Sequence, residues 1–195
     1  MKIIDISAWQ EDLDWQAIKN SGVQGVIIKI GEGANLDEMF IEHVNNAVAN
    51  GLKYGVYYYA HASNIDEARR EAYYVDNWIS TYLNNKNPEL GIWYDAEDNT
   101  MLGGNQNVVY PIANFIHTLR EIGYNYVGVY TSYNWLTNVI DLQPLPKDIP
   151  IWVAQYYHEN SFKIEYPSRI CKIWQYTDSE QIGDMQLDCN VYYEE

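Results

Sequence analysis

Tyr54-Gly55-Val56-Tyr57-Tyr58-Tyr59-Ala60-His61, then Asn64-Ile65-Asp66-Glu67, then Leu90-Gly91-Ile92-Trp93-Tyr94-Asp95-Ala96-Glu97: the fold turns on how these three runs are read together. The first and third are aromatic and β-branched over the length of a strand. Between them Ile65, Ala68, Ala72, Val75, Ile79 and Tyr82 recur at spacings of three and four, the period of a helix with one apolar face. Asn64 with Glu67 three residues on reads as a capping box that starts this helix. Strand, helix and strand joined by short links require parallel pairing and a right-handed crossover.

Working outward, further strand-length runs fall at 2–7, 25–30, 126–132, 149–156, 172–177 and 185–192, which makes eight with the two quoted. Val108, Ile112, Phe115, Ile116, Leu119 and Ile122 mark a second clear helix, and Gly22, Gly51 and Gly123 sit where left-handed C-terminal caps belong. Eight strands with this rhythm predict an α/β, TIM-barrel-like barrel. The rhythm fails after residue 140, because 141–150 carries Pro144, Pro146 and Pro150 and 157–171 has no helical period. Only 178–184 separates the last two strands, too short for a parallel crossover, so an antiparallel hairpin is expected around Asp178–Asp184. The expectation is one domain over 1–195, with about five helices and an irregular, strand-rich final third.

Bulk composition excludes several functions. The net charge of −15 opposes a phosphate backbone, and no Lys/Arg run overrides it, so nucleic acid is excluded as a partner. No stretch approaches the ~20 apolar residues of a membrane span. Asp5 interrupts the N-terminal apolar run too early for a signal peptide, so synthesis in the cytoplasm is expected. His43, His61, His117 and His158 lack metal-ligand spacing, no Gly-x-Ser-x-Gly elbow is present, and Gly31-Glu32-Gly33 lacks the other glycines of a dinucleotide or phosphate loop. No cofactor or metal is implied, a divalent cation on the acidic residues being the lesser alternative. Cys171 and Cys189 read as buried thiols; their symmetry about residue 180 also suggests a cross-strand disulfide.

Asp95 and Glu97, two residues apart at the end of an apolar strand, point the same way with Cα atoms ~6.5 Å apart. Paired carboxylates in partly dry surroundings push one pKa up, which suits acid catalysis of glycosidic cleavage. A solvated acidic loop after an edge strand is the competing reading. The C-terminal strand ends of a parallel barrel weigh against it, since Asp5, Ser7, Glu32, Tyr59, His61, Tyr130, Gln155, Tyr156 and Tyr176 collect there with the pair. An antiparallel last strand adds Asp188. Tyr59, Tyr130, Trp152, Tyr156 and Trp174 are candidates for stacking on a glycan, or core aromatics, and Trp93, deeper on the side of Asp95, is expected to pack inside.

These motifs resemble a known family. Asp5-Ile6-Ser7-Ala8-Trp9-Gln10, Ile28-Lys29-Ile30-Gly31-Glu32-Gly33, Gly55-Val56-Tyr57-Tyr58-Tyr59, Asp95-Ala96-Glu97, Gly128-Val129-Tyr130-Thr131-Ser132, Trp152-Val153-Ala154-Gln155-Tyr156, Trp174-Gln175-Tyr176-Thr177 and Asp188-Cys189-Asn190 are similar, in order, to motifs of glycoside hydrolase family 25, the muramidases of phage endolysins and bacterial autolysins. The resemblance implies five βα units followed by three strands, and cleavage of the β-1,4 bond from N-acetylmuramic acid to N-acetylglucosamine in peptidoglycan. It implies Glu97 as general acid/base, Asp95 as the carboxylate supporting the reacting sugar in a retaining, acetamido-assisted route, and Asp5 and Asp188 as flanking acids. Glu32, Tyr59, Tyr130, Trp152, Gln155, Tyr156, Trp174 and Tyr176 form the expected substrate-binding set. Tyr58 stands where many members carry His, which questions the shape of that wall.

Two other functions fit parts of the pattern: a chitinase-like retaining glycosidase, and a catalytically silent wall-binding lectin. Bacterial walls are often anionic, so a chain this acidic gains no steering toward them, and a wall-binding module elsewhere in the full-length protein is expected.

Overall fold

A computed structural model describes residues 1–104 and 107–194. In chain order the elements are β1 (Lys2–Ile6), α1 (Trp15–Asn20), β2 (Gly25–Glu32), β3 (Asn35–Leu36), α2 (Phe40–Ala49), β4 (Lys53–Tyr59), α3 (Ile65–Tyr82), β5 (Ile92–Asp95), a 3-10 turn (Asn99–Gly103), α4 (Val109–Ile122), β6 (Val127–Ser132), α5 (Tyr133–Asn138), β7 (Ile151–Ala154), α6 (Ser161–Glu165), β8 (Cys171–Ile182) and β9 (Met185–Tyr192). The sheet runs β1-β9-β8-β7-β6-β5-β4-β2-β3, and β1 also pairs with β2, which closes eight strands into a barrel with β3 as an appendix. From β1 through β2 and β4 to β8 the neighbours are parallel, while β9 runs antiparallel between β8 and β1. Five βα units followed by three strands are present, as the resemblance implied.

Strand parity sorts the side chains into two cores. Ile3, Ile27, Trp93, Tyr130, Trp152 and Ile173 point inward and pack with Leu90 inside the barrel. Their neighbours Ile4, Ile28, Val56, Tyr94, Val129 and Val153 point outward into a larger core beneath the helices. Gly128 makes room inside: a Cβ there would lie 2.5 Å from the Pro150 carbonyl oxygen and 2.6 Å from the Trp93 ring. Trp93 is fully buried and its indole N–H donates to the Leu90 carbonyl, the packing role expected of it.

The helix boundaries follow the caps. Asn64 accepts from the Glu67 amide at 3.0 Å, while the returning Glu67 carboxylate accepts from Ser63, one residue earlier than a standard capping box. Gly22, Gly51 and Gly123 have φ of 83°, 72° and 125°.

Several expectations need correction. Most of the segment predicted as the final turn is strand: β8 continues to Ile182 through register shifts on either side of Thr177, and the chain reverses at Gly183-Asp184. A short helix, α6, lies within 157–171, and the two-residue β3 had no period to announce it. The disulfide is excluded by register: Cys189 pairs with Thr177, and Cys171 lies six residues back along β8, ~20 Å away. Both thiols are free, and burial pushes the Cys171 thiol to about 11 and the Cys189 thiol to about 12.

Candidate active site

Inward parity carries on from the barrel core to its C-terminal mouth. Asp5 lies one inward step above Ile3, Asp95 above Trp93, Tyr57 above Gly55, and Gln175 above Ile173. The antiparallel β9 contributes Asp188 and Asn190, with Asp188 directly opposite Asp5. Asp5, Tyr57, Asp95, Glu97, Tyr130, Trp152 and Asp188 line a small polar cavity of about 110 Å³. The four acids expected to meet therefore do meet.

Neutral amides tie the cluster together. Gln175 Nε2 donates to both Asp5 oxygens, at 3.0 and 3.2 Å, and reaches Asp188 Oδ2 at 3.5 Å. Its Oε1 accepts from the Tyr130 and Tyr156 hydroxyls at 3.0 and 3.1 Å. Asn190 Nδ2 donates to Asp5 Oδ2 at 2.8 Å, while its Oδ1 accepts from the Trp152 indole N–H at 2.8 Å. Asp95 differs from Asp5: its Oδ1 is buried without a hydrogen-bond partner among the described residues.

Burial is the leading cause of every raised carboxyl here. It pushes Asp95 well above the ordinary range, with Glu97 and Asp5 adding repulsion and Lys29 opposing it. Glu97 is raised by burial, then by the charges of Asp5 and Asp98. Asp188 is pushed up to about 8 by burial and by Asp5. Asp5 is raised by burial too, and Asn190, Gln175 and Asp188, all donating to it, offset only part of the rise. Asp98 goes the other way, held low first by the Thr100 amide, which it caps, and further by His61 at 3.2 Å.

The other predicted residues divide. Trp152 and Tyr130 line the cavity, their rings 4.4 Å apart. Tyr156 is half-exposed at the mouth, joined to it through Gln175. Tyr59 stands on the rim, its ring against His61 and under Lys29, whose ammonium pairs with Glu32 at 2.6 Å. Trp174 and Tyr176 face away: they have outward parity on β8 and pack on the outer core, Trp174 donating to the Gln155 carbonyl and Tyr176 to Glu180. The Gln155 side chain closes its own loop through Ser161. Tyr58 is also outward, fully buried among Trp78, Tyr94 and Phe115, so its departure from His leaves the site wall untouched. Sequence reading missed Tyr57, Gln175 and Asn190, although inward parity on strands already carrying a site acid or motif would have marked them. Among the described residues no group of three or more His, Cys, Asp or Glu is arranged to hold a metal ion.

A closed eight-stranded barrel with carboxylates gathered at its C-terminal mouth has the architecture of the barrel-fold glycoside hydrolases. The model of glycosyl hydrolases family 25 matches residues 4–185, and the chain belongs to that family. An autolytic lysozyme of Clostridium acetobutylicum is 30% identical over 162 residues, covering 80% of this chain and 45% of that protein. Lysozyme M1 of Streptomyces globisporus is 23% identical, covering 95% of this chain and 64% of that protein. Among solved structures, the modular autolysin LytC of Streptococcus pneumoniae, in complex with a synthetic peptidoglycan ligand, matches with a TM-score of 0.86 at 28% identity over 98% of this chain and 46% of that chain. The catalytic domain of endolysin ply40 from a Listeria monocytogenes bacteriophage matches at 0.80 and 25% identity, over 99% of this chain and 93% of that chain. The chain thus spans less than half the length of the autolytic lysozyme and of LytC.

Proposed function

We propose that this chain hydrolyses peptidoglycan as an N-acetylmuramidase, cutting the β-1,4 bond from N-acetylmuramic acid to N-acetylglucosamine, with Glu97 as proton donor and Asp95 as support for the reacting sugar. The observation that carries the reading is the meeting of Asp5, Asp95, Glu97 and Asp188 at one cavity from three distant parts of the chain. Crowding four acids costs stability through desolvation and repulsion, a cost that chemistry at the site explains and packing does not.

In this reading Glu97 gives its proton to the leaving glycosidic oxygen while the carbonyl oxygen of the sugar's own 2-acetamido group attacks the anomeric carbon from the opposite face. The acetamido N–H then faces Asp95. Burial favours a proton on Asp95. Its unpartnered Oδ1 would accept the arriving N–H, and that bond favours the carboxylate. A water then attacks the anomeric carbon, breaks its bond to the acetamido oxygen so that the acetamido group is restored, and passes a proton to Glu97, giving retained configuration.

The test is a digest of purified peptidoglycan followed by borohydride reduction. Muramic acid at the new reducing ends is the expected result; glucosamine ends, or no ends at all, would reject the assignment in favour of a chitinase-like enzyme or a binding protein respectively. Glu97→Gln and Asp95→Asn are each expected to lower turnover by at least ~10²-fold with an unchanged circular dichroism spectrum.

A further inference from the structure

Gln175 is almost fully buried, does not line the cavity, and yet bonds to more of the site than any acid does. Its orientation is fixed by what surrounds it. Burial holds Tyr130 and Tyr156 well in their protonated form, so both hydroxyls donate, and they donate to Oε1. The NH2 group is thereby turned toward Asp5 and Asp188, with no alternative flip that satisfies the tyrosines. Asn190 is fixed in the same manner, its oxygen claimed by the Trp152 N–H and its NH2 left for Asp5.

We propose that Gln175, backed by Asn190, is a positioning residue that makes Asp5 the standing anion of the acid cluster, and that this anion keeps Glu97 protonated for acid catalysis. The inference rests on the reading of Glu97 as proton donor. Burial favours the neutral form of Asp5, and the groups that meet it from every side work against that. From β9 comes Asp188, itself beside Asp178 and raised to about 8, so it is a neutral donor to Asp5 below that pH. From β8 comes Gln175, and from β4 comes Tyr57, whose hydroxyl is held protonated by burial and by Asp95 and Asp5. From β5 and the loop after it come Asp95, Glu97 and Asp98, the last held low by the Thr100 amide and the second charge acting on Glu97; from β6 comes Tyr130, and after β7 Tyr156. The one cation from β2, Lys29, acts on Asp95 and is engaged by Glu32. Three donors on one carboxylate favour its charged form, and Asp5 is the largest charge acting on Glu97. A neutral amide at Gln175 therefore reaches the proton donor through Asp5 without lining the cavity or bonding to Glu97.

The experiment uses the whole chain labelled with 13C at side-chain carboxyls, titrated by NMR, beside the pH dependence of kcat/KM on peptidoglycan. In Q175L, Asp5 loses a donor and its charge, so Glu97 is expected to titrate about one pH unit lower, with the basic limb of the activity profile moving by the same amount. D5N is expected to give the same shift, and Q175L is expected to add nothing in the D5N background. Should Q175L fail to fold, N190L removes the second donor and is expected to shift Glu97 in the same direction. A folded Q175L or N190L with wild-type Glu97 titration, or a Q175L shift that persists in D5N, overturns the proposal. The NMR arm reads Glu97 without any substrate, so a wild type inactive on peptidoglycan would sink the muramidase reading while leaving this test intact.

Discussion

At the scale of single residues the site is defined by where protons sit. Asp188 binds its proton more tightly folded, at about 8, than at its ordinary 3.8, so the folded state holds more protons than the unfolded one between those values. Its contribution to stability therefore declines as pH rises through that window. Asp188→Asn is expected to raise the melting temperature at pH 8.5 by several degrees more than at pH 4 in parallel thermal scans; an equal effect at both would show that Asp188 is not raised. Asp98 and Glu67, both lowered by amide donors, slope the other way and lose their contribution as the medium becomes acid. The acids were legible in the sequence because charge next to apolar strands is a loud signal. Gln175, Asn190 and Tyr57 were not, since a neutral amide or phenol on a strand reads the same facing in or out until register is known. Trp174 and Tyr176 failed for the complementary reason: position along β8 was right and side of β8 was wrong.

Among elements, the junction of α3 with β5 stands behind the site. Glu71, buried on α3, accepts from the His61 amide at 3.0 Å and from the Tyr94 hydroxyl at 2.5 Å, and Tyr94 immediately precedes Asp95. Burial raises Glu71, while those donors favour its charged form. Tyr94→Phe is expected to cost about 1–3 kcal/mol in urea unfolding, more at pH 8 than at pH 4, because the lost donor serves the carboxylate. A loss independent of pH would place the cost in packing instead. The helical period predicted α3 from its apolar stripe, Ala68, Ala72, Val75 and Ile79, and these do face the barrel. Glu71 lies on the same stripe and was passed over because an acid in a helix reads as solvent-facing. The long β8–β9 arm was likewise read as a turn, since Asp178, Ser179 and Glu180 have loop chemistry; register with Leu187 and Gln186 keeps that stretch extended.

For the whole molecule, charge and topology set the remaining expectations. A chain of net charge −15 meets an anionic wall with repulsion that salt screens over ~8–10 Å near physiological strength. If it acts on such walls, lysis by this chain is expected to rise as NaCl goes from about 10 to 150 mM, a trend that turbidity clearing checks and that a falling rate would contradict. The barrel was readable because its parallel units repeat, and its antiparallel last strand because 178–184 is too short for a crossover; what has no local signal is the register in which β9 enters between β8 and β1. That insertion has a consequence for biosynthesis. Asp5 and the Asp95/Glu97 pair are translated early, but Gln175, Asp188 and Asn190 arrive with β8 and β9, which also seal the free flank of β1. Until residues 185–192 leave the ribosome, a nascent polypeptide carries an open sheet flank prone to wrong partners, and its acid cluster still lacks Asp188 and the Asn190 amide.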